Sequence, residues 1–163
     1  MIFIIDSGST KCDWISIDPK TGEQVFEKQR TKGLNPAIIS EEEAREVINA
    51  NKILIDNKSK VDHVFFYGAG CSSAPLNAVI AKGLKRVFEH AHVVVDHDLL
   101  AAAYATFFGE PHIACILGTG SNSCYFDGTS VREEVPALAY ILGDEGSASY
   151  IGKRLVRDFL YKR

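Results

Sequence analysis

Four short stretches of this 163-residue chain bring carboxylates and hydroxyls together with glycine in a way that suits phosphate chemistry. The first is Asp6-Ser7-Gly8-Ser9-Thr10-Lys11. Gly8 lets the backbone come close to a ligand, successive N–H groups there can form an anion-binding nest, and Ser9 and Thr10 add hydroxyl donors. Asp6 is placed to hold the water shell of Mg²⁺, an ion that keeps most of its waters. The second is Gly118-Thr119-Gly120-Ser121-Asn122-Ser123, another small-residue turn. The third, Asp96-His97-Asp98, sets carboxylates ahead of an alanine-rich segment, and the fourth is Gly143-Asp144-Glu145-Gly146-Ser147. Two glycine and hydroxyl turns suit the two ends of a polyphosphate, and the separate carboxylates suit Mg²⁺ and a general base. Each stretch also has a plainer reading. The first is an ordinary hairpin with an Asp-initiated turn, Asp98 is a helix N-cap, and Asp144 and Glu145 complement the positive end of a helix.

The elements that position these residues are legible in the apolar pattern. Ile2-Phe3-Ile4-Ile5 reads as a buried strand that ends at Asp6, and Cys12 to Ile17 as its hairpin partner. Gln24 to Gln29 alternates like a third strand, followed by a loop at Gly33-Leu34-Asn35-Pro36. Ser40 and Glu43 form a capping box, and Ala44, Val47, Ile48 and Ile55 supply a helical stripe. Val64 to Tyr67 is a short buried strand, and Leu76, Val79, Ile80, Leu84, Val87 and Phe88 recur at helical spacing. Val93-Val94-Val95 then leads into Asp96-His97-Asp98 and a helix from Leu99 to Phe108. Three hairpin-joined strands followed by a β-α-β-α run predict an α/β fold with helices covering a mixed sheet. Gly109-Glu110-Pro111 reads as a boundary, giving one domain over 1–109 and the start of another over 110–163. In the second, Ile113 to Leu117, the turn from Gly118 and Cys124-Tyr125-Phe126 echo the opening unit, with Asp127-Gly128 as a hairpin turn. Ala148, Ile151, Leu155, Val156, Phe159 and Leu160 share one face of a final helix. That face needs more sheet than the short strands after Pro111 provide, so the chain is expected to stop within its second domain. The apolar face would then pack on the first lobe, on a second copy in a homodimer, or on further protein.

Composition narrows the class. A formal net charge of −3 and the absence of a long basic run give nucleic-acid binding no electrostatic support. The cysteines, Cys12, Cys71, Cys115 and Cys124, form no C-x-x-C pair, which argues against structural zinc or a disulfide framework and fits a reducing cytoplasm. The opening apolar run is too short for a signal peptide or a membrane span. Gly118-Thr119-Gly120 and Gly68-Ala69-Gly70 imitate a dinucleotide fingerprint but lack its third glycine.

Taken together, Asp6-Ser7-Gly8-Ser9-Thr10-Lys11-Cys12-Asp13-Trp14, Leu117-Gly118-Thr119-Gly120-Ser121-Asn122 and Leu142-Gly143-Asp144-Glu145-Gly146-Ser147-Ala148 resemble the superfamily of sugar kinases, actin and the heat-shock chaperone ATPases. Within it the chain is most similar to N-acetylglucosamine kinases and the related activator-type ATPases of redox enzymes. The resemblance covers the whole chain. It implies a ribonuclease-H-like, actin-like ATPase fold in two lobes, with ATP, Mg²⁺ and a sugar as ligands. It makes the first turn, with Asp6, Gly8, Ser9, Thr10 and Lys11, one phosphate loop, and Gly118, Thr119, Gly120 and Ser121 the other. Asp98 matches the carboxylate set against the attacking sugar hydroxyl, with Asp96 as its rival. Asn35, Asn122 and Asp144 match residues that hold the sugar's hydroxyls. Ser7 departs from the glycine that many relatives carry.

Three functions follow from this resemblance. The first is ATP-dependent phosphorylation of an amino sugar or N-acetyl amino sugar, with Asp98 as base. The second is an activator-type ATPase, whose relatives carry an acidic second phosphate loop and cluster-ligating cysteines; the second loop here has no acid. The third is a non-catalytic sugar or nucleotide-binding fragment.

Overall fold

The computed structural model describes residues 1–133 and 137–163. It divides into two compact units, Met1–Asp98 and Leu99–Arg163. In the first, strands β1 (Ile2–Ser7), β2 (Lys11–Ile17) and β3 (Gln29–Lys32) form an antiparallel meander. Strands β4 (His63–Gly68) and β5 (His92–His97) add in parallel to the other edge of β1, giving the order β3-β2-β1-β4-β5. Parallel pairing requires crossovers. Helices α1 (Glu41–Asn49) and α2 (Lys52–Asp56) make the first, and α3 (Ala74–Val87) the second.

Strand alternation sends Phe3, Ile5, Trp14, Val64 and Phe66 into one buried core with Ile48, Leu54, Ile80, Leu84 and Phe88. Phe3 packs edge-on against Trp14 and Phe88, with centroids 6.0 and 5.5 Å apart. The buried indole donates to Thr31 Oγ1 at 3.0 Å, which satisfies its one polar atom.

Two boundaries differ from the pattern. The third strand forms at 29–32 rather than 24–29. Gln24 makes only an isolated bridge to Ile17, and the Phe26 N–H bonds the Ser16 hydroxyl instead of a strand backbone. Arg30 meets Asp13 across the sheet at 2.6 Å, anchoring the later register. The stripe from Ala44 to Ile55 is two helices, because Asn51 caps a new one by accepting from the N–H groups of Ile53 and Leu54. The Ser40–Glu43 capping box is present in both directions.

The second unit holds β6 (His112–Leu117), β7 (Ser121–Phe126) and β8 (Val131–Arg132), antiparallel in that order, so its meander repeats the build of β1, β2 and β3. Gly128 turns the second hairpin at φ +98°. Helix α4 (Asp98–Ala105) puts Leu99 and Ala103 into a cluster with Ala114, Cys124 and Phe126. Its packing places the division of contacts at Asp98, ahead of Gly109-Glu110-Pro111. Helices α5 (Ala139–Leu142) and α6 (Ala148–Leu160) complete the chain. On α6, Ile151, Leu155, Val156, Phe159 and Leu160 are all exposed. No helix among the described residues is long and apolar enough to cross a membrane.

Candidate functional site

Asp6 stands at the end of β1, and sheet register gives it company. Asp13 lies opposite it on β2, Tyr67 opposite it on β4, and Asp96 opposite Tyr67 on β5. Residues in register share a face, so Asp13, Asp6, Tyr67 and Asp96 form one polar row. The two carboxylates at its head are treated differently. Arg30 bonds Asp13 through two nitrogens, at 2.6 and 3.0 Å, with Lys28 at 3.4 Å, and these bonds hold the Asp13 pKa below the ordinary carboxylate value. Asp6 moves the other way, raised by partial burial first and by the Asp13 charge second, against the smaller pull of Lys11 and Lys28.

The turn beyond Asp6 is Gly8-Ser9-Thr10. The Gly8 N–H donates to the Lys11 carbonyl at 2.9 Å, the Ser7 carbonyl accepts from the Ala69 N–H at 2.8 Å, and the Gly8 carbonyl accepts from the Ser7 hydroxyl at 3.3 Å. The N–H groups of Ser9 and Thr10 have no partner among the described residues. Gly8 is not at positive φ, and a Cβ there would meet only the Lys11 oxygen, at 3.7 Å. Nothing among the described residues requires glycine at this position.

The second turn repeats this arrangement. The Gly118 N–H donates to the Gly120 carbonyl at 2.9 Å, and the carbonyls of Gly118 and Thr119 accept from Ala148 and Ser149 at the start of α6, at 3.0 and 3.2 Å. The N–H groups of Thr119 and Gly120 are left without partners among the described residues. A Cβ on Gly118 would meet only the Gly120 oxygen, at 3.9 Å. Ser121, expected to serve phosphate, spends both donors locally. Its N–H goes to Asp144 Oδ1 at 3.2 Å and its hydroxyl to the Glu145 carbonyl at 3.0 Å. Asn122 and Asp144 line a cavity of about 430 Å³ with Leu117, Gly143 and Glu145.

Asp98 opens α4, and its Oδ1 lies 3.3 Å from His97 Nδ1. Asp96 Oδ1 accepts the His97 backbone N–H at 2.8 Å. Cys71 is buried close enough to both carboxylates for burial, Asp98 and Asp96 to push its thiol up to about 12, so it remains protonated.

No family model matches the chain, and no curated protein matches it. Among solved structures, it superposes with a TM-score of 0.91 on a Porphyromonas gingivalis protein assigned as an N-acetylglucosamine kinase. The two are 36% identical over 99% of this chain and 57% of that one. By fold, the chain belongs to the sugar kinase and actin-like ATPase superfamily. A Chromobacterium violaceum protein, also assigned as an N-acetylglucosamine kinase, matches at TM-score 0.63 and 16% identity over 96% of this chain and 55% of that one. A ROK-family glucokinase from Streptomyces griseus, solved with glucose and AMPPNP, matches at 0.55 and 20% over 85% of this chain and 48% of that one. These last two speak for the fold alone. The chain spans 57% of the length of the P. gingivalis protein.

Within this superfamily fold, the residues expected to serve phosphate fall at the tips of two hairpins of the same build, one in each unit. Asn35 is joined to the first tip, donating to Ser9 Oγ at 2.8 Å, and Asp144 is joined to the second. Three contacts were not visible in the sequence: the buried Ser7 hydroxyl bonded to the Leu34 N–H, the near-contact of Gly33 with the first turn, and Tyr67 between two carboxylates. The only hint was Gly33, a glycine in a loop without a turn signature, which marks a close backbone approach.

Proposed function

We propose that the chain carries the phosphate loops and the general base of an ATP-dependent kinase for an amino sugar or N-acetyl amino sugar. One observation carries the reading. In each unit a hairpin tip has its carbonyls tied into the chain and adjacent N–H groups left over, and each opens with a glycine that the fold does not need. Free N–H donors on a fixed backbone suit an anion, and a missing Cβ lets a phosphate approach. Asp6 would hold the Mg²⁺ through its waters, with Ser9, Thr10 and Lys11 at the first tip and Thr119 and Gly120 at the second each offering donors to phosphate. A bound Mg²⁺ would neutralise charge developing on the transferred phosphoryl group. Asp98 would orient the sugar hydroxyl and take its proton.

The sugar assignment draws on Asn35, Asn122 and Asp144. An amide can both donate and accept, and Asn35 retains one N–H and one lone pair after its bonds to Ser9 and Ala37. That pairing can meet the carbonyl and N–H of an N-acetyl group as readily as a hydroxyl. The similarity to the P. gingivalis protein supports the same choice. An activator-type ATPase would need several cysteines within reach of a cluster at its surface, and here Cys12, Cys71 and Cys124 are buried. The test is ADP release with N-acetylglucosamine, N-acetylmuramic acid, glucosamine and glucose in parallel. An N-acetyl or amino sugar should lead. Glucose in first place would sink the amino-sugar assignment, and sugar-independent ATP hydrolysis would sink the kinase.

A further inference from the structure

In the first unit, the loop after β3 is fastened to the phosphate turn at two points. Ser7, fully buried at the end of β1, accepts the Leu34 N–H at 2.8 Å while its own proton goes to the Gly8 carbonyl. Two residues on, the Ser9 hydroxyl accepts an amide hydrogen from Asn35 at 2.8 Å. Just before these ties, Gly33 lies so close that a Cβ would come within 2.3 Å of the Gly8 carbonyl oxygen. A hydroxyl that accepts from Asn35 still has its own proton to give, so Asn35 presets Ser9 as a donor.

We propose that Ser7 is a positioning residue that fastens the Asn35 loop to the phosphate turn, so that nucleotide and sugar bind cooperatively. The proposal rests on the kinase reading of the two loops. Phosphate bound at the turn stills Gly8 to Thr10, and the Ser7–Leu34 bond carries that order into residues 33–36. The sugar then meets a loop whose ordering is already complete, which is positive coupling without a change of shape. Linkage makes it reciprocal: sugar must tighten nucleotide binding by the same factor. Without the Ser7 hydroxyl, the buried Leu34 N–H loses its partner and the loop moves independently of the turn.

Amide hydrogen exchange on the 163-residue chain, with and without saturating Mg²⁺·AMPPNP, tests this. Nucleotide should slow exchange at Leu34 by about fivefold in the unaltered chain, the order of one net hydrogen bond. Ser7→Ala should abolish that slowing, and Ser7→Thr, which retains the hydroxyl, should keep it. Persistence of the slowing in Ser7→Ala, or its loss in both variants alike, overturns the proposal. If Ser7→Ala does not fold, Asn35→Ala cuts the other tie and must reduce the slowing by itself; an unchanged response there is equally fatal. Two failures are distinguishable. Protection of Gly8 to Thr10 without any change at 33–36 defeats the coupling and leaves the kinase reading standing. No response at Gly8 to Thr10 defeats the kinase reading and the coupling with it.

Discussion

The two hairpin tips share a backbone plan but are held by different means. The first is gripped by side chains, the Ser7 hydroxyl and the Asn35 amide, with Gly33 pressed against it. The second is gripped by backbone, as the first N–H groups of α6 donate to the carbonyls of Gly118 and Thr119. Those helical N–H groups lack intrahelical partners in any case, so the helix end and the turn complete each other. The tips differ again two residues before the shared glycine, where the first has Asp6 and the second Ile116. The second acquires a carboxylate only from a distance in sequence, as Asp144 reaches Ser121 and lies 3.1 Å from where a Gly120 Cβ would sit. What the two have in common is therefore the part a phosphate would use, namely free N–H groups beside a bare glycine. What differs is how that part is supported.

If, as proposed, both tips serve phosphate and neither serves the proton, removing the proposed base should give the largest effect. Asp98→Asn keeps the size of the side chain and its ability to serve a helix start. We expect kcat to fall by roughly 10²–10⁴-fold, the usual worth of general-base assistance. Sugar and nucleotide affinity should be retained. Asp96→Asn should be milder, since Asp96 already accepts the His97 N–H. The opposite order of severity would move the base into the row of Asp6 and Tyr67.

The next effect separates glycines that serve a ligand from those that serve the fold. Gly8→Ala and Gly118→Ala meet nothing closer than 3.7 Å among the described residues, so both should fold with nearly normal thermal transitions. Each should weaken Mg²⁺·ATP binding by about tenfold, as a methyl group displaces a phosphate from the backbone (~1.4 kcal/mol). Gly33→Ala should do the reverse. Its Cβ would collide with the Gly8 and Ser9 backbone, at 2.3 and 2.5 Å, and such overpacking typically costs about 1–3 kcal/mol of stability. Affinity lost in Gly8→Ala but unchanged in Gly118→Ala would break the parallel and leave a single phosphate tip.

The sequence showed the hairpins, the mixed sheet and the glycine-rich tips because each is a local matter: a run of apolar residues, a small-residue turn, an alternation of period two. The Ser40–Glu43 box was readable for the same reason. What escaped were contacts between segments far apart in the chain. The stripe through Ile55 hid a helix break, because Asn51 acts through its side chain and not through the apolar spacing. The third strand slid to 29–32 because Asp13, on another strand, selects Arg30. Ser7 read as a departure from the superfamily's glycine, and only the structure shows a hydroxyl buried with both its bonds satisfied. Ser121 read as a phosphate donor, and its donors turn out to be committed to residues 144 and 145.

The smallest expected effect on stability concerns the one carboxylate that the first tip has and the second lacks. Asp6 has a raised pKa, so the folded protein holds that proton more tightly than the unfolded chain does. Its contribution to stability is therefore complete below the ordinary aspartate value of 3.8 and is lost as pH rises through the raised one. At neutral pH the charged Asp6, partly buried and facing Asp13, is a cost. Asp13 runs oppositely: its lowered pKa supports the fold above 3.8, and that support is lost as pH falls through the lower value. Asp6→Asn should therefore raise thermal stability slightly at pH 7, by about 0.5 kcal/mol or less, because the half-shielded carboxylate still reaches solvent. The gain should shrink as pH falls through the raised pKa. The same substitution should strongly reduce Mg²⁺-dependent turnover while leaving sugar binding without nucleotide nearly unchanged. Stability that rises as turnover falls would mark a residue kept for the metal against the preference of the fold. A variant destabilised equally at pH 3 and pH 7, with both ligands lost, would make Asp6 a turn residue, and the two tips would then differ only in how they are held.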